Sequence, residues 1–306
     1  MNLELYKTMY LIRRSEDRIR ELYPEDEMKT PMHMSIGSEA IYAGIIHALK
    51  KEDQVFGTYR SHALYLAKTG DTDGFFGELY GKSTGCSRGR AGSMHLTSPE
   101  NGLMGTSAVV GTTIPIAVGT AFANVYKGED KRVVVFFGDG ALDEGVFWES
   151  FNFACLKKLP IIFVCEDNGL AIHSSKIQRQ GYHNIGNILK EFNCFAYDLE
   201  DFNPIEILDK VKLSIAAQDI HKVPLFLHCF YYRYLEHVGV GTDFHFGYRK
   251  DETKSIKDPL KLLREKLSEE VDKVEEEINQ QIERSIELAK NASFPDKNEL
   301  LTDVYA

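Results

Sequence analysis

Three short apolar segments constrain the fold of this chain more than any other feature of its sequence. Residues 132–137, 160–166 and 224–231 are rich in β-branched and aromatic side chains, and their apolar character is continuous rather than alternating. Strands of this kind are covered on both faces, as in the interior of a parallel sheet. Residues 143–158, between the first two segments, carry apolar side chains at helical spacing. The pattern therefore predicts a strand–helix–strand unit with a right-handed crossover.

The length of 306 residues admits one large domain or two average ones. We favour a single α/β domain over 1–257, with a mostly parallel sheet and helices on both of its faces, followed by a helical tail over 258–306. Asp258 and Pro259 form a helix start, after which apolar residues recur every three or four positions. We expect this amphipathic helix to be interrupted near Ser268. Packing against its own domain and contact with another subunit explain its apolar face equally well.

The composition excludes several classes of function. Apolar residues make up 43% of the chain, which is enough for a large core and argues against disorder. The 36 basic and 46 acidic residues give a net charge of −10, which disfavours nucleic acid as a partner. The five cysteines form no close pair along the sequence and have no metal-type spacing, so we expect reduced thiols in a cytoplasmic protein.

One segment raises the question of a membrane span. Residues 108–126 are apolar, but they include Pro115 and Asn124 and run directly into a hydrophilic segment. We therefore expect a buried helix there and no membrane association. Residues 1–23 mix apolar with basic side chains and lack the continuous apolar region of a signal peptide.

Polar residues follow the first two predicted strands. Gly138, Asp139 and Gly140 end the first strand, and Asn168 follows the second. Ligands in open α/β sheets bind beyond the carboxyl ends of the strands, so Asp139 and Asn168 should meet in one crevice. A dinucleotide fold would require a glycine where Asp143 stands. A carboxylate repels a diphosphate unless a cation lies between them, and Mg²⁺ suits that position. The pattern therefore indicates a metal diphosphate.

Gly-Asp-Gly at one strand end, coupled to an asparagine at the next, is the fingerprint of thiamine diphosphate sites. The chain resembles the alpha subunit of the decarboxylating component of pyruvate, branched-chain 2-oxo acid and acetoin dehydrogenases, over roughly residues 6–248. The matching blocks are 33–40 (HMSIGSEA), 58–62 (TYRSH), 85–95 (GCSRGRAGSMH), 109–115 (VVGTTIP), 138–141 (GDGA), 159–168 (LPIIFVCEDN) and 232–237 (YRYLEH). This resemblance implies the thiamine diphosphate-binding fold.

The resemblance also implies a role for individual residues at the metal and the diphosphate. Asp139 and Asn168 would bind magnesium through side-chain oxygens, and Leu170 would bind it through its backbone carbonyl. The diphosphate would lie against Tyr59, Arg60, Gly138, Gly140 and Ala141. A bidentate guanidinium such as that of Arg60 suits a phosphate.

Four further residues are implied at the rings of the cofactor and at the reacting centre. Ala108 and Val110 would line the aminopyrimidine, where small or branched apolar side chains let the ring lie against the backbone. His33 and His237 would bind the cofactor and face the reacting centre as proton donors or polarising groups. A lone histidine is commonly structural, so these two assignments depend on the resemblance.

The resemblance implies that this chain holds only half of an active site. In that family the glutamate that activates the cofactor belongs to a beta subunit, so we expect two alpha and two beta chains. The implied reaction is decarboxylation of a small 2-oxo acid, or cleavage of acetoin, with acyl transfer to lipoamide on a lipoyl-bearing acyltransferase. If the chain proved active alone, Glu39 would be the first candidate for the activating acid.

Two departures from the family leave alternatives open. Residues 238–241 contain no serine where mitochondrial pyruvate enzymes carry phosphorylatable ones, so regulation at that place is not expected. Glu236, beside His237, is expected to change the entry surface for a lipoyl arm. The alternatives are therefore a two-subunit carboligase or sugar-modifying enzyme with a non-lipoyl acceptor, and a non-catalytic cofactor-binding subunit. His33 and His237 argue against the last.

Overall fold

A six-stranded parallel sheet forms the centre of the computed structural model, which describes residues 1–200, 203–267 and 270–302. The strands are β1 (Gln54–Thr58), β2 (Leu103–Ser107), β3 (Val133–Gly138), β4 (Ile161–Asp167), β5 (Leu170–Ala171), β6 (Ser174–Ser175), β7 (Phe195–Leu199) and β8 (Leu225–Phe230). Their order in the sheet is β2-β1-β3-β4-β8-β7, with every pairing parallel, and β5 and β6 form a separate two-stranded hairpin. The three strands predicted from the sequence are β3, β4 and β8, which lie side by side within the sheet.

Helices cover both faces of this sheet. They are α1 (Asn2–Leu22), α2 (Glu39–Ile46), α3 (His62–Thr69), α4 (Thr72–Leu79), α5 (Thr113–Lys127), α6 (Gly145–Lys157), α7 (Lys176–Arg179), α8 (Ile185–Leu189), α9 (Pro204–His221), α10 (Pro259–Arg264) and α11 (Glu270–Asn291). The predicted helix over 143–158 is α6, so the strand–helix–strand unit is confirmed.

Two apolar clusters explain why the central strands are continuously apolar. Val134, Phe136 and Val164 pack with α1–α4 and α9–α11 on one face of the sheet. Val135 and Phe163 point the other way and pack with α5, α6 and α8. Successive strand residues thus enter opposite cores, and neither face of the inner strands accepts a polar side chain at low cost.

The tail packs against its own domain. Asp258 caps α10, where its carboxylate accepts the backbone N–H of Leu260 at 3.0 Å. Arg13 of α1 holds the same carboxylate at 2.9 Å. The buried apolar residues of α10 and α11 belong to the α1–α4 cluster and are Leu260, Leu263, Val271, Val274, Ile278, Ile282, Ile286 and Ala289. Ser268, where an interruption was expected, lies outside the described residues.

The apolar segment 108–126 contains α5, and the expectation of a buried helix is wrong for one of its faces. The buried face carries Ile114, Ala117, Val118 and Ala121. The opposite face exposes Ile116, Phe122, Val125 and Tyr126. A helix that is apolar all round needs a cover on both sides, and this chain supplies only one. Within the described residues, no helix is both long enough and apolar enough to span a membrane.

The five cysteines are free thiols. Cys155 at the end of α6 and Cys194 before β7 are nevertheless hydrogen-bonded neighbours, which their separation in the sequence did not predict.

Candidate cofactor site

A cavity of about 280 Å³ opens at the carboxyl ends of the strands. Its walls come from the residues that follow β1, β2, β3, β4 and β8. The predicted site residues that line it are Tyr59, Arg60, Val110, Gly138, Asp139, Gly140, Ala141, Asn168, Leu170 and His237. Two predicted site residues, Ala108 and His33, lie outside the lining. Parallel pairing brings the lining residues together, because it places all carboxyl ends at one edge of the sheet.

Larger cavities, of about 420 to 660 Å³, occur elsewhere. They include one beside β7 and α8 and one between the end of α4 and the end of α11. None of these cavities contains a predicted site residue. The chemistry of the lining therefore identifies the strand-end cavity as the candidate site.

Asp139 is the buried carboxylate at the end of β3. Its Oδ2 lies 2.5 Å from the guanidinium of Arg179 on α7, which also contacts Asp143. Burial and the nearby Asp167 carboxylate raise the pKa of Asp139, whereas Arg179 opposes that rise. The Asp139 carboxylate is thus already paired with the positively charged side chain of Arg179.

The turn after β4 presents Asn168 and Leu170. Asp167 anchors this turn: its carboxylate accepts the N–H of Gly169 at 2.8 Å and contacts Lys176 and His228. The hydrogen bonds of Lys176 and His228 hold the pKa of Asp167 below its usual range, although burial opposes them. Asn168 donates from Nδ2 to the hydroxyl of Tyr231 at 2.9 Å, and its Oδ1 accepts the N–H of Leu170 at 3.1 Å, which leaves one lone pair of Oδ1 for a ligand.

The donor set fits a divalent cation that is completed by its ligand. Asp139 supplies a carboxylate, Asn168 an amide oxygen and Leu170 a backbone carbonyl, all at one edge of the cavity. The guanidinium of Arg179 places a positive charge beside the Asp139 carboxylate, where the cation would bind. In the described part of the chain, no three acidic, histidine or cysteine side chains group as a metal site, so further oxygens would have to come from a diphosphate and water.

Arg60 joins two segments of the site. Its guanidinium donates to the carbonyl of Met34 at 2.5 Å and to the carbonyl of His237 at 3.1 Å. The first acceptor is the carbonyl of the residue that follows His33, and the second is the carbonyl of His237 itself. One buried arginine therefore positions the segments that carry His33 and His237.

The ring of His33 packs edge-on against the ring of His237, which lines the cavity. Their ring centroids are 5.2 Å apart, and Tyr59 lies 4.5 Å from His33. Burial and the charge of Arg60 lower the pKa of His33 to about 3, and the same two causes lower that of His237 to about 3. Both rings are therefore neutral at pH 7 and can donate a hydrogen bond but carry no acidic proton. Nδ1 of His33 is buried without a partner.

The loop over 236–250 is held by a buried ion pair. Arg233 lies 3.0 Å from Asp243, and Tyr248 and Arg249 contact the same carboxylate. Arg233 also donates to the carbonyl of Ile172 at 3.1 Å, which links this loop to the one that carries α7. The site loops are thus fixed to each other as well as to the sheet.

Glu236, which was expected to change the entry surface for a lipoyl arm, makes a hydrogen bond within its own loop. Its carboxylate turns back and accepts the N–H of Gly241 at 2.8 Å. Gly239, which has a φ of +120°, packs directly on this carboxylate, and a side chain there would collide with it. Glu236 therefore stabilises its own loop. The backbone can pass this close to the carboxylate because Gly239 has no side chain.

Four charged residues at the site were not predicted from the sequence: Asp143, Glu144 and Glu166 in the lining, and Arg179 beside Asp139. Arg179 belongs to no sequence motif. The signal that could have found it is its position in the loop after β4, the strand next to the one that carries Asp139. Glu166 lies inside a matching block but was given no role. Glu39, by contrast, lies outside the cavity lining, since it is fully buried against Arg13 at 2.5 Å and the N–H of Gly37 at 2.9 Å.

Comparisons with known proteins agree over nearly the whole chain. Residues 7–297 match the family described as the dehydrogenase E1 component. The chain is 32% identical to the chloroplastic pyruvate dehydrogenase E1 component subunit alpha-3 of Arabidopsis thaliana, covering 99% of this chain and 74% of that protein. It is 31% identical to the pyruvate dehydrogenase E1 component subunit alpha of Rhizobium meliloti, covering 99% and 89%. It is 28% identical to the alpha subunit of acetoin:2,6-dichlorophenolindophenol oxidoreductase of Bacillus subtilis, covering 99% and 93%.

Proposed function

The chain belongs to the dehydrogenase E1 component family, and from this premise we propose that it is the alpha subunit of a thiamine diphosphate-dependent enzyme. In this proposal the enzyme decarboxylates a small 2-oxo acid, or cleaves acetoin, and transfers the acyl group to lipoamide. The expected relation to the alpha subunits of pyruvate and acetoin dehydrogenases is confirmed by relatives of both names.

The observation that carries the proposal is the convergence of Asp139, Asn168 and Arg60 on one cavity. A carboxylate and an amide oxygen suit Mg²⁺, and a guanidinium suits a phosphate oxygen. When bound, the cofactor would supply the electron sink for loss of carbon dioxide. The metal assignment to Asp139, Asn168 and Leu170 is part of the proposal.

In this proposal the residues of this chain bind and orient the cofactor and the substrate, and the cofactor supplies the bond-breaking chemistry. Gly140 and Ala141 begin the turn after β3, where backbone N–H groups can approach a diphosphate. His33 and His237, as neutral imidazoles, would donate hydrogen bonds to an oxygen that gains negative charge in the transition state. Their fixed positions follow from Arg60, which binds both of their segments.

A partner chain would complete this site. The cavity, at about 280 Å³, is slightly smaller than the usual small-molecule sites of about 300–1,000 Å³. Val109 and Val110 are exposed at its rim, and the exposed face of α5 continues from them. We assign this apolar surface to a beta subunit that supplies the activating glutamate, in an assembly of two alpha and two beta chains.

The proposal has three further parts, which concern the acyl acceptor, the location of the protein and nucleic acid as a partner. The acceptor would be a lipoyl-bearing acyltransferase, whereas a carboligase or sugar-modifying enzyme would use another acceptor. The five free thiols suit a cytoplasmic location. The net charge of −10 disfavours nucleic acid as a partner.

The test is reconstitution with the native partner. Carbon dioxide release would be measured from pyruvate and branched 2-oxo acids, together with acetoin cleavage, with and without thiamine diphosphate and Mg²⁺. We expect cofactor-dependent turnover of one of these donors by the pair, and transfer to a lipoyl domain. Cofactor binding with no turnover of any donor would favour the non-catalytic alternative. Turnover without lipoyl transfer would favour the carboligase alternative.

A further inference from the structure

His228 on β8 is enclosed between two carboxylates that come from the neighbouring strands. Its Nε2 lies 2.6 Å from Oδ2 of Asp167 at the end of β4, and its Nδ1 lies 3.1 Å from Oδ1 of Asp198 on β7. Ionised carboxylate oxygens accept hydrogen bonds and do not donate them, so both ring nitrogens serve as donors. Because β8 lies between β4 and β7, this one buried ring joins all three strands.

The two oxygens of the Asp167 carboxylate have separate partners. Oδ2 faces His228, whereas Oδ1 accepts the backbone N–H of Gly169 at 2.8 Å. Gly169 has a φ of +77°, so the turn after β4 depends on a left-handed backbone conformation that this hydrogen bond supports. The proposed metal ligands Asn168 and Leu170 lie on either side of Gly169. The direction of one carboxylate group therefore sets the turn that presents both ligands.

His228 is the more rigid of the two groups that hold Oδ2 of Asp167. Its strand is paired on both sides, and its ring packs on Phe230 with 4.2 Å between the ring centroids. The second group is Lys176, whose side chain is 35% exposed and belongs to the short α7. Burial alone would raise the pKa of Asp167, yet the hydrogen bonds from His228 and Lys176 hold it below its usual range. A buried charge-assisted hydrogen bond from a fixed ring constrains its partner more than one from a long, partly exposed side chain.

We infer that His228 is a positioning residue for the proposed cation. Through Nε2 it fixes the Asp167 carboxylate, and Asp167 fixes the turn that carries Asn168 and Leu170. The inference rests on the proposed function for the identity of the site. His228 lies outside the cavity lining, so its loss removes no ligand of the cation and acts only through the shape of the turn. Asp198 holds the far side of the ring and orients it.

Two amide variants separate the two ring nitrogens. The side-chain nitrogen of glutamine reaches the position of Nε2, and that of asparagine reaches the position of Nδ1. His228→Gln can therefore still donate to Asp167, whereas His228→Asn can donate only towards Asp198. The measurement is the dissociation constant of Mn²⁺ on the assembled enzyme in the presence of thiamine diphosphate, by electron paramagnetic resonance. We expect His228→Asn to raise it about tenfold and His228→Gln to change it less than about threefold.

Ser285→Ala controls for a general loss of stability. The hydroxyl of Ser285 is buried on α11 and bonds to Thr72 at 2.7 Å and to Asp73, and none of these residues lines the cavity. The variant should lower the melting temperature and leave the Mn²⁺ titration unchanged, because it removes buried hydrogen bonds that have no connection to the turn. Lys176→Gln should weaken Mn²⁺ binding by no more than about twofold, since the partly exposed lysine contributes less to the direction of the carboxylate.

The amide pair decides between positioning and packing. Wild-type affinity in His228→Asn, or equal weakening in both amide variants, would overturn the inference, because neither result depends on the Nε2 donor. Weakening of the same size in Ser285→Ala would overturn it as well, since the site would then respond to any loss of stability. Tenfold weakening by Lys176→Gln would assign the role to the lysine, and this result decides the inference even if His228→Asn fails to fold. Failure of the wild-type enzyme to bind Mn²⁺ with thiamine diphosphate would instead overturn the proposed function.

Discussion

The guanidinium of Arg179 lies 2.5 Å from the carboxylate of Asp139, where the proposed divalent cation would bind. Arg179 also contacts Asp143, and it belongs to the short α7 in the loop that follows β4. Cation binding at Asp139 must therefore compete with an ion pair already present in the chain.

Arg179→Gln should raise the affinity of the protein for Mn²⁺ in the absence of diphosphate. If the ion pair with Arg179 contributes about 1 kcal/mol, its removal should change the dissociation constant of Mn²⁺ roughly fivefold. The measurement is an electron paramagnetic resonance titration of free Mn²⁺. Arg264→Gln, which breaks an ion pair with Glu275 on the tail, is the matched control and should leave the titration unchanged. Weaker Mn²⁺ binding by Arg179→Gln would contradict the competition.

Asp139→Asn should abolish magnesium-dependent cofactor binding, with a loss of at least about 100-fold, because the cation that holds the diphosphate loses its carboxylate ligand. The fold should remain intact. Burial raises the pKa of the Asp139 carboxyl, so replacing it by a neutral amide removes a group that the free protein does not favour. Calorimetry with thiamine diphosphate and Mg²⁺ gives the affinity, and thermal melting gives the stability. Asp219→Asn, at a surface ion pair with Arg132, serves as the control.

The central strands and the ends that carry Asp139 and Asn168 were predictable from the sequence for a physical reason. Strands covered on both faces must be apolar at every position, so a polar residue stands out where such a strand ends. The neighbouring strands β1 and β2 were not predicted. They lie at one side of the sheet and contain Gln54, Gly57 and Gly105, which break the apolar pattern. Tyr59 and Val110 could therefore be placed only by resemblance.

Residues that act across long sequence separations were not predictable from local pattern. Arg179 meets Asp139, and Arg233 meets the carbonyl of Ile172, only after the loops fold over the strand ends. The hydrogen-bond partner of Glu236 was not predictable either, since it is a backbone N–H that a sequence does not reveal.

The two site histidines should make the protein sensitive to acid. Their folded-state pKa values, about 3, lie below the ordinary value near 6.5, so between these limits the unfolded chain binds protons that the folded chain does not. Stability is thus unaffected by them above about pH 6.5 and falls as the pH is lowered towards 3. His33→Asn should flatten this dependence, by at most about 1.4 kcal/mol per pH unit, in urea unfolding measured from pH 7 to 4.5. An identical slope in wild type and variant would mean that His33 titrates normally.

His237→Ala should lower turnover more than cofactor affinity. Arg60 binds the backbone carbonyl of His237 at 3.1 Å, and that contact survives removal of the ring. We expect kcat to fall about 100-fold while the dissociation constant of the cofactor changes by less than about twofold. His245→Ala, at an exposed position in the same loop, should retain full activity. Full turnover by His237→Ala would reduce its role to a structural one.

The last prediction concerns the exposed face of α5 and the missing half of the site. Ile116, Phe122, Val125 and Tyr126 are exposed there, and Phe122 stacks edge-on with Phe153 of α6 at 5.7 Å. Contiguous exposed apolar surface of this kind marks an interaction site. Because the N-terminal end of α5 adjoins the cavity rim, a partner seated on this face would reach the cofactor. Purified alone, the chain should therefore release no carbon dioxide from 2-oxo acids, even with excess thiamine diphosphate and Mg²⁺.

Ile116→Glu should prevent co-purification of the partner and abolish turnover, while leaving the melting temperature of the chain unchanged, because the side chain is exposed and makes no core contact. Leu213→Glu is the control, at an exposed apolar position of α9, which packs on the opposite face of the sheet, and it should keep both partner and activity. Normal assembly by Ile116→Glu would place the junction elsewhere. Robust turnover by the single chain would mean that the activating acid lies within it. The search would then begin with Glu144 and Glu166 in the cavity wall, because Glu39 is held by Arg13 in the core.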